Sequence, residues 1–173
     1  VPNKHYPTQA LTENNWNLEE IEKEFRAQIE LIKKNIPHVS HMSAHMGAMR
    51  FDKDVSAMVR KLAEEYGLHA VSINPLEDYG LRSAGYDGAH KTINEKTASF
   101  ISMLNKLENG KSYVFVDHPS YDTDDMRATH HIGYEEVAMD RQGVTDLLTD
   151  ERVIEVIKAR NIKLISYADL FAD

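Results

Sequence analysis

The chain has 173 residues, a formal net charge of -8 and no cysteine. Its length suits one domain with a sizeable core, and its acidic balance argues against nucleic acid as the main partner, because phosphate binding needs clustered Lys and Arg. No apolar run approaches the ~20 residues that span a bilayer, and the absence of cysteine removes disulfides, thiolate ligands and cysteine nucleophiles together.

The first residue is Val1, with no signal peptide behind it, so an upstream segment is expected to have been removed or left out. Neither these features nor the lack of cysteine assigns a compartment. Residues 1–15 carry two prolines and no clear period, an irregular lead-in. A helix is then expected from Leu18 to Asn35, with Asn17 as N-cap and Leu18, Ile21, Phe25, Ile29 and Ile32 as its apolar stripe. Glu19-Glu20 and Lys33-Lys34 lie on its solvated face. Pro37 ends it, and Val39 to His45 reads as a short strand.

Asp52 caps a second helix whose apolar positions are Val55, Met58, Val59, Leu62 and Ala63, stopped by Gly67. Leu68 to Ile73 is the next strand. Asn74 to Lys91 has no sustained period and reads as a long loop. Thr92 and Glu95 form a capping box for a third helix, followed by a strand from Ser112 to Asp117. Tyr134 to Arg141 is expected to be helical, Thr149 to cap a further helix, Lys163 to Ser166 to form a last strand, and Ala168 to Phe171 a terminal turn. Strand and helix alternate throughout, so the expected class is α/β, one domain over residues 1–173 with parallel strands.

Two segments bear chemistry, Ser40-His41-Met42-Ser43-Ala44-His45-Met46-Gly47 and Val114-Phe115-Val116-Asp117-His118-Pro119. Each places a histidine at the end of a strand-like run, where side chains from distant parts of an α/β fold converge. Neutral imidazole is the commonest metal ligand. His41 and His45 are four apart, but in a strand that spacing covers ~13 Å, so at most one of them is a direct ligand. His118 leaves a core strand into a proline turn, a position as well suited to a ligand or an acid/base as to a structural histidine. Met42, Met46 and Met49 read as packing. His90, His130 and His131 sit in polar loops as surface or cleft-lining imidazoles, and Trp16, Tyr79, Tyr86 and Tyr121 suit either sugar stacking or packing. No Gly-x-Ser-x-Gly, P-loop or Rossmann signature is present.

Taken in order, Ala27-Gln28-Ile29-Glu30, the two histidine segments, Glu65-Tyr66-Gly67-Leu68, Tyr121-Asp122, Met126-Arg127, Arg141, Leu148-Thr149 and Ile162-Lys163-Leu164-Ile165-Ser166 resemble the YdjC/ChbG-type carbohydrate deacetylases. The resemblance covers nearly the whole chain after about residue 20. It implies a deformed (β/α) barrel of parallel strands and a divalent metal ion (Zn, Mg, Mn, Ni or Co) held by one aspartate and two histidines. The implied reaction removes an acetyl group from an N-acetylated sugar or oligosaccharide. His45 matches the middle histidine of the family segment and His118 the Cys-His-Pro histidine, so these two are the implied metal ligands. Arg141 is carried over as support for the site, and Tyr121 and Tyr86 are the candidate sugar-binding residues.

The sequence departs from the family pattern at several positions. The family's Asp-Asp-x-Gly strand end, source of the metal aspartate and catalytic base, has no counterpart, so the catalytic aspartate is expected upstream of Val1 and the barrel is expected to lack its first strands. Asp124-Asp125 reads as a loop or helix-start acid. The family's cysteine is Asp117, its aspartate before the middle histidine is Ser43, its last histidine is Gly47, and the glutamate expected after Arg141 is Val144. Asp140 or Asp146 is the available substitute for that glutamate. The expected partner is a small carbohydrate substrate, with neither nucleic acid nor membrane. An exposed barrel edge would favour a homodimer. The alternative readings are a non-catalytic carbohydrate-binding or interaction domain on the same scaffold, and a metal-dependent hydrolase of another bond class.

Overall fold

The computed structural model describes residues 14–130 and 132–171. In chain order these form α1 (Leu18–Asn35), β1 (His41–Met42), a 3-10 turn (His45–Gly47), α2 (Lys53–Tyr66), β2 (His69–Ala70), α3 (Pro75–Tyr79), β3 (Leu81–Ala84), α4 (Ile93–Lys106), β4 (Ser112–Phe115), α5 (Asp124–Arg127), α6 (Val137–Thr149), α7 (Glu151–Ala159) and α8 (Tyr167–Leu170). The α/β class with parallel strands stands: β1 pairs parallel with β2, and β3 parallel with β4, as two separate two-stranded sheets. Among the described residues no helix is long and apolar enough to cross a membrane.

The chain divides into two compact units, residues 1–79 with 165–173, and residues 80–164. In the first, Asn17 Oδ1 accepts from the Glu19 and Glu20 amides and starts α1, while Asp52 does the same for α2 through Asp54 and Val55. Gly67 ends α2 in the left-handed conformation, φ 64°, that an L side chain adopts only with strain. The core of this unit gathers Ile29 of α1, Met42, Met49 and the inward face of α2, where Val55, Val59 and Leu62 are fully buried. Each such side chain contributes about 1.5–3 kcal/mol. Trp16 meets Phe51 edge-on at 5.4 Å and closes one end of this core.

In the second unit Phe100, Met103 and Leu104 of α4 pack with Leu147 of α6 and Val153 of α7. Asp150 terminates α6 and its carboxylate accepts from the Arg152 amide to start α7. Thr149, expected as that cap, is instead the last residue of α6 and donates its hydroxyl to the Thr145 carbonyl. The helix expected over Tyr134–Arg141 begins at Val137 and runs on through Gly143.

Three further expectations change. The presumed loop from Asn74 to Lys91 contains α3 and β3. The strand expected from Val39 to His45 has only His41 and Met42 in its ladder before the chain turns. Lys163 to Ser166, β-rich in sequence, forms no strand among the described residues, and Leu164 and Ile165 are exposed. A strand needs a partner for its backbone groups, which side-chain pattern alone does not supply.

Lys96 is buried inside this second unit, 1% exposed, where its ammonium donates to Asp140 Oδ1 at 2.6 Å and to the Gly88 carbonyl. Asp140, 9% exposed, also accepts from the Tyr134 hydroxyl and the His90 amide. A Cβ at Gly143 would stand 2.9 Å from Lys96 Cε, so the stem of Lys96 explains a glycine in the middle of α6. Burial pushes the Asp140 carboxyl up, but the hydrogen bonds from Lys96 and Tyr134 outweigh it and hold the group below its usual range. The stability this contributes is present at neutral pH and is lost as pH falls below the ordinary carboxylate range. Lys96→Met, similar in length but uncharged, leaves that carboxylate without its buried cation, and is expected to lower the unfolding free energy by about 3 kcal/mol in urea. Lys96→Met combined with Asp140→Leu should lose less than the single change; an equal or larger loss refutes the pairing argument.

Candidate functional site

In the first unit β1 delivers the chain into a tight reversal. Ala44 donates its amide to Ser72 Oγ at 3.3 Å, Ala48 to the His45 carbonyl at 3.2 Å, and Arg50 to the Gly47 carbonyl at 2.9 Å. Met46 (φ 51°) and Gly47 (φ 75°) both take left-handed backbone conformations to make this turn. His45 therefore sits just beyond the carboxyl end of β1, exposed, and its imidazole has no hydrogen-bond partner among the described residues. Met42 and Met49 are buried as expected of packing residues, whereas Met46 is 75% exposed and does not pack.

His41 has a different environment. Its β-register partner is His69, its Nδ1 lies 3.0 Å from the Ser40 hydroxyl, and its ring is 4.5 Å from that of Tyr167. His69 stacks on Phe171 at 3.6 Å, and Tyr79 meets Phe171 edge-on at 5.1 Å. Sequence reasoning missed His69, Tyr167 and Phe171 in this role; only the parallel register brings His41 and His69 side by side. Burial, then the charge His69 would carry, lowers the His41 pKa, and burial raises the phenols of Tyr79 and Tyr167.

In the second unit β4 ends at Phe115 and leads through Val116 and Asp117 to His118. Asp117 Oδ1 accepts the His118 amide at 2.8 Å, and Asp117 Oδ2 accepts the Tyr86 hydroxyl at 2.8 Å. Downstream, the Ser120 amide donates to the Arg141 carbonyl at 3.2 Å and Thr145 Oγ1 donates to the Ser120 carbonyl at 2.8 Å. The turn is thus tied to α6, and Arg141 reaches its vicinity through the backbone. The Arg141 guanidinium lies 3.8 Å from Met126 Sδ. His118 is exposed, with an imidazole free of hydrogen bonds among the described residues.

Tyr86 is half-buried, edge-on to Phe100 at 5.3 Å, and burial with the adjacent Asp117 carboxylate drives its phenol well above the usual range. A cleft of about 240 Å³ beside it is lined by Tyr86, Asp117, Tyr134 and Asp140, among others. The Tyr134 phenol is pushed up to about 12 by burial and by its bond to Asp140. Tyr121 is 69% exposed. Asp140 is fully engaged by Lys96, Tyr134 and the His90 amide, while Asp146 accepts from Gln142 at 2.7 Å. Asp124 and Asp125 open α5, as expected of helix-start acids. His90 is exposed and meets Tyr134 edge-on, His130 is exposed with Nδ1 at 2.9 Å from the Arg127 carbonyl, and His131 lies outside the described residues.

The donor chemistry at His45 and His118 fits two of the three positions of an Asp-His-His metal set. They lie in different units, and among the described residues no group of three His, Asp or Glu side chains is assembled to hold a metal ion.

The family profile named YdjC-like protein matches residues 4–159. A crystal structure from Enterococcus faecalis V583, of a protein provisionally named as a cellobiose-phosphate cleavage protein, aligns with a TM-score of 0.70 and 25% identity. The alignment covers 94% of this chain and 64% of that one, so the chain spans about two-thirds of its neighbour's length. No curated protein matches the chain.

Because its folded-state pKa is lowered, His41 resists protonation in the native state, whereas the unfolded chain takes up that proton as pH falls below about 6.5. Stability should therefore decline between pH 7 and pH 5, and His41→Gln should flatten that decline in urea unfolding at the two pH values. An unchanged slope would assign the acid sensitivity to other groups.

Proposed function

The chain belongs to the YdjC-like family, and on that premise we propose that it works in carbohydrate processing, as part of a metal-dependent hydrolase that removes an acetyl group from an N-acetylated sugar or oligosaccharide. The observation that carries this reading is the shared placement of His45 and His118. Each lies just past the carboxyl end of a parallel strand, exposed, on a turn fixed by backbone hydrogen bonds, with a ring free to bind. In this reading the fold class is that of the family's deformed (β/α) barrel, in which strand ends face the active site.

His45 and His118 are each a candidate donor to a divalent ion through a neutral imidazole nitrogen. When bound, that ion polarises the amide oxygen and lowers the pKa of a bound water. The chain's own residues then bind and orient the sugar. Tyr121 offers an exposed ring on which the apolar face of a pyranose can stack, and the Tyr86 ring borders the cleft next to Asp117. The Arg141 carbonyl accepts the Ser120 amide of the His118 turn, and in this reading its guanidinium would favour negative charge developing on the substrate.

Ser43, Gly47 and Val144, standing where the family pattern carries aspartate, histidine and glutamate, favour one further reading, a domain that binds carbohydrate without turning it over. Calorimetric titration of this chain with Zn²⁺, Ni²⁺ and Co²⁺ tests the metal reading. One equivalent should bind, and His45→Ala or His118→Ala should each weaken it at least about 100-fold, beyond the 10–100-fold typical of groups behind the ligands. Acetate release from N-acetylated chito-oligosaccharide, abolished by a chelator, would support the deacetylase. Sugar binding with neither metal binding nor acetate release would replace it with the binding domain.

A further inference from the structure

We propose that Tyr86, acting through Asp117, is a positioning residue that fixes the turn carrying His118. Asp117 uses its two carboxylate oxygens on two different donors, Oδ1 on the His118 amide and Oδ2 on the Tyr86 hydroxyl, each at 2.8 Å. The carboxylate is thereby held from the side of the unit's core. The Tyr86 ring that holds it is itself seated edge-on against Phe100, at 5.3 Å, and tilted against Phe115, at 6.0 Å.

A second observation bears on the same ring independently. A Cβ at Gly88 would overlap the Tyr86 ring and its hydroxyl, so the loop after β3 accommodates the phenol only because residue 88 has no side chain. The carbonyl of Gly88 accepts from the buried Lys96 ammonium, which anchors that loop beneath the ring. On the far side of His118, the Ser120 amide and carbonyl are bound to Arg141 and Thr145 of α6. His118 thus has an anchor one residue before it and another two residues after it, and the earlier one depends on Tyr86.

Asp117 stands where the resembling family carries cysteine. A thiol has one weakly accepting sulfur, whereas a carboxylate presents two strong acceptors and forms charge-assisted bonds with both donors. Tyr86 and Asp117 therefore form a matched pair, and neither makes the same connection alone. The functional weight of this clamp rests on the reading of His118 as a metal donor, but the clamp itself can be measured without a metal.

Amide hydrogen exchange of His118, followed by NMR in the whole chain, is the direct readout, with the amides of α4 as internal reference. Tyr86→Phe is expected to accelerate exchange at His118 about tenfold while the α4 amides stay within twofold. Gly88→Ala, which leaves both hydrogen-bonding groups in place but displaces the ring, should do the same. Asp117→Asn retains an acceptor for the His118 amide and a donor toward the Tyr86 oxygen, and should keep the His118 rate within about threefold of the starting protein. A His118 rate unchanged in Tyr86→Phe overturns the proposal, as does acceleration matched across α4, which would mean loss of packing only. Co²⁺ titration of the same variants adds the functional readout, with an expected tenfold loss of affinity in Tyr86→Phe. If the unsubstituted chain binds no Co²⁺, the metal reading of His118 falls and the exchange rates still decide the clamp.

Discussion

The second unit is organised around one buried ion pair. Lys96 comes from α4 and Asp140 from α6, and both are almost removed from water. Such a pair loses most of its hydration, so it persists only where every remaining donor and acceptor finds a partner. Here the ammonium also binds the Gly88 carbonyl, and the carboxylate also accepts Tyr134 and the His90 amide. Among the described residues no buried side-chain nitrogen or oxygen is left without a partner. The loop from Gly85 to Lys91 is tied to this pair through the Gly88 carbonyl and the His90 amide, and Gly143 leaves room for the lysine stem where it crosses α6.

The histidines in the first unit divide the same residue type between two physical roles. His41 is held in a packed aromatic surround with His69, Tyr167 and Phe171, where desolvation favours its neutral form. His45, four residues on, is exposed past the end of β1, just before the chain reverses through the left-handed pair Met46 and Gly47. Charge is disfavoured at the first position, and a lone pair is available at the second. The end of β1 after Met42 separates a packed histidine from one free to bind.

The helix boundaries at Asn17, Asp52, Gly67 and the Thr92–Glu95 box were legible because their signals are local, each acting within four residues of itself. Strands were less legible because a strand is defined by its neighbour. Leu81 to Ala84 contains no β-branched residue and pairs with Ser112 to Phe115, whereas Leu164 and Ile165 carry the expected side chains and remain unpaired among the described residues. The site followed the same division. Strand-end histidines could be picked out by their punctuation, Pro119 after His118 and Gly47 after His45. Residues 31 apart along the chain, such as Tyr86 and Asp117, are brought together only by the β3–β4 pairing. Nothing in the sequence marked Lys96 as buried, since a lysine in an amphipathic helix ordinarily faces water.

The left-handed turn after β1 also bears on redox chemistry. The chain contains no thiol, so its oxidisable sulfur is confined to seven methionines. Met42 and Met49, on either side of the turn, are buried, while Met46 holds its thioether in solvent one residue from His45. Peroxide converting that sulfur to a sulfoxide would place a polar, chiral oxygen beside the candidate ligand and leave both flanking core sulfurs shielded. Oxidative damage at this turn would thus fall on the neighbourhood of the site before it reached the packing that holds the unit together.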